Sequence, residues 1–410
     1  MDASSSQKTI LFVHHGKGLG GAPLSLLYLI QALDKNRYHP IVLFLYQSDV
    51  IELYRSHGIQ TMGPLNLMDF PHTKIWWFRW YHLRPLIRSM LDTYKTMHSV
   101  APRILSAVRP DIIHLNTSSL IAWAYAAHKK GIPVVWHIRE PLADGYCGIR
   151  KLLVRASVQR FANTIVPICN DNAHPWAHDL RTHVVYNAVP KERFNSEIAC
   201  ESFLARYNLD RHRPKILFLG GISHEKGTRF IIEIFEQLRA QLPSVMLLIA
   251  GAHEYQKPIR YSLKNLFPAA QLHATVERYR QKYSDSLVLL GPINDVPEAM
   301  AASSVIVFPA TVGHFARPII EAGFMRKPTI ASDLPALDEL IIHEQTGFLI
   351  TPHDYAGWVN TLYKLLTDEI YNRTVGAAAY TFCSQKFSMS HHVDQIQKIY
   401  QSIECKETSV

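Results

Sequence analysis

The 410-residue chain has no apolar run approaching the roughly 18 residues of a membrane span, so any attachment to a bilayer is expected at its surface. Cysteine is scarce. Cys147, Cys169, Cys200, Cys383 and Cys405 form no C-x-x-C pair and no metal-ligand spacing, which fits a reducing compartment rather than a disulfide scaffold or a zinc module. The first residues are polar and lack the basic start and apolar core of a secretory signal, so a cytoplasmic protein is expected. Charged residues make up only 19% against 48% hydrophobic ones, which marks a folded chain and excludes a disordered one. Acid is the minority charge. The net balance of +9 points to anionic partners: nucleic acid, acidic lipid or phosphorylated substrates. The length exceeds one ordinary core, so two domains are expected.

The most informative stretch covers residues 303–347. Residues 305–309 are a short apolar run, read as a buried strand. A loop over 310–316 contains Gly313. A helix then opens with Arg317-Pro318, where the missing N–H of proline costs nothing, and Glu321 lies one turn in. Residues 329–332 read as the next strand and 333–335 as the next turn. The whole reads as two successive strand–loop–helix units, each presenting loop amides and a helix N-terminus at one edge of a parallel sheet. Helix N-termini bind anions, and a carboxylate accepts hydrogen bonds from sugar hydroxyls. A nucleotide-diphosphate donor needs both.

This stretch resembles the donor-binding signature of the retaining glycosyltransferases of family 4, the group of glycogen synthase and the mannosyltransferases. Their pattern runs E-x-F-G-x-x-x-x-E-A. Phe315, Glu321 and Ala322 match it in register. Gly313 stands in the place of the first Glu and Ala316 in that of the second Gly. The resemblance implies that Glu321 holds the nucleotide ribose. It also implies that the donor sugar lacks its usual carboxylate, for which the adjacent His314 is a substitute.

Earlier in the chain, residues 9–14 read as a strand, and Leu26, Leu29, Ile30 and Leu33 share one face of a helix over 24–33. Between them, Gly16-x-Gly18-x-x-Gly21 formally matches the dinucleotide fingerprint. That site also needs an acid closing the second strand, and residues 40–46 end in Gln47-Ser48. The glycines therefore either pack the helix on the sheet or, as the Gly20-Gly21-Ala22 step resembles the first loop of the family, bring amides toward a donor diphosphate. No Gly-Lys-Ser/Thr follows, so the loop is not a Walker loop.

Residues 70–109 mix Trp76, Trp77, Phe78, Trp80 and Tyr81 with Arg79, Arg84, Arg88, Lys95, Arg103 and Arg109, against Asp92 alone. Two readings fit. The segment is a helical hairpin packed on the core, or an interface for acidic membranes. Base stacking has no other support, and nucleic acid is not expected as a partner.

Residues 111–115 and 133–137 are short buried strands flanking a helix over 119–130. The second strand runs into Trp136-His137-Ile138-Arg139-Glu140. Polar residues at the C-terminal end of a strand are where α/β sheets hold ligands, although a lone His there also serves as a structural histidine. The segment resembles the N-domain active site of the family. Residues 164–169 read as a strand, with Asn170 capping the next helix. Val184–Pro190 resembles the family segment V-I-x-N-G-V, with Ala188 for Gly, and marks the crossing between domains.

The strand pattern restarts at 215–219. Gly220-Gly221-Ile222-Ser223-His224-Glu225-Lys226-Gly227 follows, then a helix over 228–238. The family pattern here is G-R-x-x-x-x-K-G, whose cations grip the donor phosphates. Lys226 and Gly227 match it, Gly221 replaces the Arg, and Arg317 is a replacement cation. Further strands are read at 245–251 and 287–291. The segment 294–302 resembles the family helix that precedes the donor loop. Val393, Ile396, Ile399, Tyr400 and Ile403 repeat at helical spacing.

The resemblance implies an α/β protein of the GT-B type, with two Rossmann-like doubly wound domains facing across a cleft. Residues 1–192 would form the acceptor side, 193–387 the donor-binding domain, and 388–410 a helix crossing back. The implied reaction moves a sugar from a nucleotide-diphosphate donor to a lipid-linked or polysaccharide acceptor, with retention and without a metal or other cofactor. His137, Lys226 and Glu321 would be catalytic. Gly20, Gly21, Gly220, Gly221, His314, Phe315, Ala316 and Arg317 would join Lys226 and Glu321 around the donor, and Arg139 and Glu140 would serve the acceptor. The missing charges at Gly221 and Gly313 keep two rivals open: a subunit that binds nucleotide sugar without turnover, and another GT-B enzyme such as a nucleotide-sugar epimerase.

Overall fold

The computed structural model describes residues 7–16, 18, 20–70, 83–251 and 268–407. The chain forms two compact units. One takes the residues up to Ala188 and those from Met389 onward; the other is Val189–Ser388.

In the first unit the order is β1 (Lys8–His14), α1 (Gly21–Ala32), β2 (Tyr38–Phe44), α2 (Val50–Ser56), β3 (Gln60–Met62), α3 (Leu83–Lys95), α4 (Ala101–Val108), β4 (Ile112–Leu115), α5 (Ile121–Lys129), β5 (Val134–Ile138), α6 (Ile149–Phe161), β6 (Thr164–Pro167) and α7 (Asn170–Ala173). A π-helical turn, Thr96–Val100, joins α3 to α4. The strands lie parallel in the order β3-β2-β1-β4-β5-β6. The second unit contains α8 (Glu201–Arg206), β7 (Lys215–Phe218), α9 (Thr228–Gln241), β8 (Met246–Ala250), α10 (Pro268–Lys282), β9 (Leu287–Gly291), α11 (Val296–Ala301), β10 (Val305–Phe308), α12 (Arg317–Phe324), β11 (Thr329–Ser332), β12 (Phe348–Ile350), α13 (Tyr355–Thr367) and α14 (Glu369–Lys386). Its parallel sheet runs β12-β11-β10-β7-β8-β9. Read from its own first strand, each sheet has the same winding, 3-2-1-4-5-6, which is the doubly wound Rossmann order. The strand order reverses between β1 and β4 in one unit and between β7 and β10 in the other. Ligands of such sheets bind beyond the carboxyl ends of the strands at that reversal.

Both sheets are covered on their faces, so their strands read as continuous apolar runs rather than alternating ones. In the first unit Ile10 and Phe12 of β1 point to one core, shared with α1, α2 and the last helix, α15 (Met389–Glu407). Leu11 and Val13 point to the other, shared with α4, α5 and α6. Within α15, Val393, Ile396, Ile399, Tyr400 and Ile403 are all buried. Each such side chain contributes about 1.5–3 kcal/mol, which fixes α15 to the first unit.

Three sequence expectations need correction. The expected second strand–loop–helix unit does not form. β11 is followed by turns and pairs directly with β12, because Pro335 and the left-handed Ala336 and Glu344 break any helical run between them. Asn170 is not the cap of α7 but its first residue. Cys169 is the cap, and its Sγ accepts from the Asn172 amide at 3.5 Å. Of the aromatic and basic stretch, residues 74–82 lie outside the described residues. From Leu83 it is a nearly unbroken helical segment through Val108, not a hairpin.

Candidate functional site

In the second unit the loop after β7 and the loop after β10 meet at the reversal of strand order. Gly220 and Gly227 are fixed by contact. A Cβ at Gly220 would overlap the Phe218 ring, and one at Gly227 would overlap the Pro309 carbonyl oxygen, with φ at +81° besides. Thr228 secures the loop from inside: its hydroxyl accepts from the Ser223 amide at 2.8 Å and donates to the carbonyl of Gly221 at 2.9 Å. The Gly221 amide donates to Ala250 O, and its φ of +64° suits glycine better than an arginine. The loop conformation therefore accounts for the absence of the family cation at this position.

Lys226 projects from this loop to His314 on the other, with Nζ 2.6 Å from Nε2. His314 Nδ1 lies 3.0 Å from the Val312 carbonyl oxygen. A carbonyl can only accept, so Nδ1 carries the ring proton and Nε2 accepts from the ammonium. The neighbouring Gly313 is closed to substitution, since a Cβ there would stand 2.7 Å from Pro335 O. A side chain at the position of the first family Glu would have to displace the backbone of the turn after β11.

On α12, Arg317 Nε donates to Glu321 Oε1 at 2.7 Å, an i,i+4 pair almost out of solvent. The sequence positions both, with Pro318 starting the helix and Ala316 and Ile320 buried beneath it. Phe315 and Ala316 lead into this helix. The caps of α9 and α12, Gly227 and Ala316, offer no side-chain acceptor to the first-turn amides. By contrast α13 and α14 are capped by Asp354 and Asp368. At these starts the Thr228 amide donates to Ser223 O at 3.2 Å and the Ile319 amide to Ala316 O at 3.0 Å, and Pro318 has no N–H, so what the two helices that flank Lys226 and Glu321 offer an anion is the positive end of the helix dipole.

In the first unit, Gly20 caps α1 without a side-chain bond. Among the described residues a Cβ at Gly20 or Gly21 would meet nothing within 4 Å, so none of them demands glycine at either position. Beyond β5, the side chain of His137 does not reach the surface. It is fully buried, because the residues around the strand ends enclose it. His14 at the end of β1, Asn116 after β4 and Arg139 after β5 form a connected polar row. Asn116 bonds His14 at 3.0 Å and accepts from Arg139 Nε, while Arg139 NH1 donates to Asn187 Oδ1 at 2.6 Å. Arg139 NH2 lies 3.4 Å from His137 Nδ1, which also lies 3.0 Å from His114 Nε2. A guanidinium only donates, so the His137 proton sits on Nε2. His114 Nε2 then donates to His137, and His114 Nδ1 accepts from Tyr400 of α15 at 2.8 Å. Among the described residues His137 Nε2–H has no partner.

Burial first, and then the charge of Arg139, holds both His114 and His137 well below the ordinary histidine range. Burial and the charge of Arg139 likewise lower His392 to about 4; its ring bonds the Tyr186 carbonyl at 2.7 Å. Burial lowers His14 to about 3. Glu140 accepts from the Thr117 hydroxyl at 2.6 Å and the Ser118 amide at 2.8 Å, which ties the β5 end to the β4 loop. Of this row the sequence reading named His137, Arg139 and Glu140. It missed His14, His114, Asn116 and Tyr400, although a polar residue closing an apolar parallel strand was the available signal for His14 and Asn116.

Two family models match the chain. The model described as Glycosyltransferase Family 4 covers residues 19–193, and that described as Glycosyl transferases group 1 covers residues 201–382. Among curated proteins, the chain is 26% identical to an alpha-D-kanosaminyltransferase of Streptomyces kanamyceticus over 48% of each chain. It is 23% identical to a UDP-Gal:alpha-D-GlcNAc-diphosphoundecaprenol alpha-1,3-galactosyltransferase of Escherichia coli over 77% of this chain and 79% of that one. The chain spans about half the length of the first of these relatives. The crystal structure of Anabaena HepE in complex with UDP superposes with a TM-score of 0.75 at 19% identity, covering 97% of this chain and all of that one. With two Rossmann-like sheets of matching winding and family models on both halves, the chain belongs to the family 4 glycosyltransferases of the GT-B fold.

Proposed function

We propose that this protein transfers a sugar from a nucleotide-diphosphate sugar to a glycan or lipid-linked acceptor, with retention of configuration and without a metal ion. The observation that carries this reading is the clustering of Lys226, His314, Arg317 and Glu321 on two loops of one unit, beside the starts of α9 and α12. The relatives support it through their printed activities, among them a galactosyltransferase acting on a diphosphoundecaprenol-linked sugar. HepE was solved with UDP-glucose.

In this reading Glu321, held through Oε1 by Arg317, presents its second oxygen to the ribose hydroxyls. Lys226 and the positive ends of α9 and α12 neutralise the departing diphosphate, as an electrostatic clamp that strengthens as charge develops. The bond from the anomeric carbon to the diphosphate oxygen breaks. The acceptor hydroxyl oxygen bonds to that carbon, and its proton passes to a diphosphate oxygen. Gly20 and Gly21 bring amides toward the diphosphate, Gly220 and Gly221 shape the phosphate loop, and Phe315 and Ala316 place the start of α12. His314 takes the sugar contact that Gly313 cannot make. Arg139 and Glu140 serve the acceptor, and the enclosed His137 acts on it only through Arg139.

A binding role without turnover is the second reading. The closed environment of Gly313 favours it, because the usual carboxylate has no room there. A thermal-shift screen of nucleotide sugars, followed by an assay for released nucleoside diphosphate with candidate acceptors, separates the two. A ligand at 100 times its dissociation constant stabilises by about 2.7 kcal/mol. Stabilisation with acceptor-dependent release supports transfer. Stabilisation without release under any acceptor supports the binding role, and no stabilisation by any nucleotide sugar contradicts both.

A further inference from the structure

The first unit carries an apolar surface that the described residues leave uncovered. On α3, Leu83, Ile87, Met90, Leu91 and Tyr94 recur at helical spacing, and all are about half or more exposed. The opposite side of α3 is anchored through Leu86 and Ser89, whose hydroxyl donates to the Asp69 carbonyl at 2.6 Å. The helix is therefore fixed with its apolar stripe outward. On α6, Ile149, Leu152 and Leu153 are also exposed, while Val154 and Val158 are buried beneath them. Helix α5 packs against both α3 and α6, so the three helices cover one face of the sheet. An apolar stripe turned to water costs free energy unless something covers it, and contiguous patches of this kind mark interaction surfaces.

The charge around the patch decides what covers it. Arg84, Arg88 and Lys95 flank the α3 stripe, and the one acid there, Asp92, lies 3.8 Å from Arg88 and also accepts from the Met68 amide. Helix α6 contains no acidic residue and adds Arg155, Arg160 and Lys151, the last paired with Asp144 at 2.9 Å. One turn beyond Leu152, Arg155 lines a hollow of about 500 Å³ together with His174 and His178. Apolar side chains framed by cations match the boundary of a lipid bilayer with acidic headgroups. Among the described residues no helix is long and apolar enough to cross a membrane, so the contact is one of surface docking.

We propose that α3 and α6 together form a docking face for an anionic lipid bilayer, with the apolar residues in the acyl boundary and Arg88 and Arg155 at headgroup phosphates. The surface does not depend on the reaction proposed above, and its test does not use turnover. The full chain is sedimented with vesicles of neutral phosphatidylcholine, and with vesicles containing 30–40% phosphatidylglycerol (a composition chosen on the order of a strongly acidic membrane), at low and high salt. Binding is expected only to the acidic vesicles and is expected to fade with salt. Arg88→Gln and Arg155→Gln should each weaken it about fivefold, the worth of one interfacial cation. Leu91→Ser and Leu152→Ser should each weaken it further without lowering the melting temperature, because both side chains are already in water. Absence of binding to acidic vesicles at low salt would overturn the proposal. So would α6 variants that bind like the wild type. A lipid-free dimer that Leu91→Ser dissociates would overturn it in favour of a second copy as the occupant.

Discussion

The ammonium of Lys226 rests against Nε2 of His314, 2.6 Å away and 88 residues later in the chain. This contact joins the loop after β7 to the loop after β10 and sets where the positive charge points. Lys226→Ala is expected to lower turnover more than it raises the Michaelis constant, since the charge matters most as the diphosphate departs. His314→Ala, which leaves the cation but frees it, should give a smaller loss, and His314→Gln, which restores an acceptor, should recover part of it. Equal losses in all three variants, measured by release of nucleoside diphosphate, would contradict a positioning role.

The glycines fall into two classes that a melting experiment separates. Gly227→Ala places a Cβ onto Pro309 O at a left-handed φ and should destabilise the second unit by roughly 1–3 kcal/mol. Among the described residues Gly20→Ala meets no atom within 4 Å, and it should leave the melting temperature unchanged. If its loop approaches the donor diphosphate, the same substitution should weaken nucleotide-sugar binding severalfold. A Gly20→Ala protein with native affinity would remove that loop from the donor site.

Acid stability reports on the buried histidines. His14, His114, His137 and His392 are held neutral in the folded state, with His392 lowered to about 4 and His14 to about 3. The unfolded chain takes up these protons near pH 6.5. Below that pH the unfolded state binds more protons, so stability falls as pH drops and levels only near the folded values. Each histidine contributes a slope of about 1.4 kcal/mol per pH unit. His392→Gln keeps a donor for the Tyr186 carbonyl, and between pH 7 and pH 5 it should lose about 2 kcal/mol less than the wild type in urea unfolding. Identical losses would show that His392 does not titrate on unfolding.

A clamp made of protein cations and helix dipoles needs no added ion. Transfer is expected to persist in EDTA. Activity that EDTA abolishes and magnesium restores would place a metal at the diphosphate.

The strands of both sheets were legible because parallel strands buried on two faces are unbroken apolar runs, as in Val305–Phe308 and Leu287–Gly291. The edge strands Gln60–Met62 and Phe348–Ile350 were not, since three residues with one neighbour carry too short a pattern. Phe315, Glu321 and Lys226 could be located by motif. The pairing of Lys226 with His314 could not, because it depends on two loops meeting at the reversal of strand order. The steric closure of Gly313 was likewise invisible, as it comes from the backbone of Pro335. Burial of His137 depends on Tyr400 and His114, which the local sequence around β5 does not contain.

The assignment of Glu321 to the ribose is the point on which the donor site turns. Calorimetry of a nucleoside diphosphate (UDP is the first probe, given its presence in HepE) and of its 2′,3′-dideoxy analogue tests it directly, with wild type and Glu321→Gln. A charged hydrogen bond of this kind is worth roughly 1.5–3 kcal/mol. The substitution should therefore weaken the ribonucleotide about tenfold or more, and should leave the dideoxy analogue nearly unaffected, because the partner hydroxyls are already gone. Equal weakening of both ligands, or of neither, would contradict a carboxylate that reads the ribose.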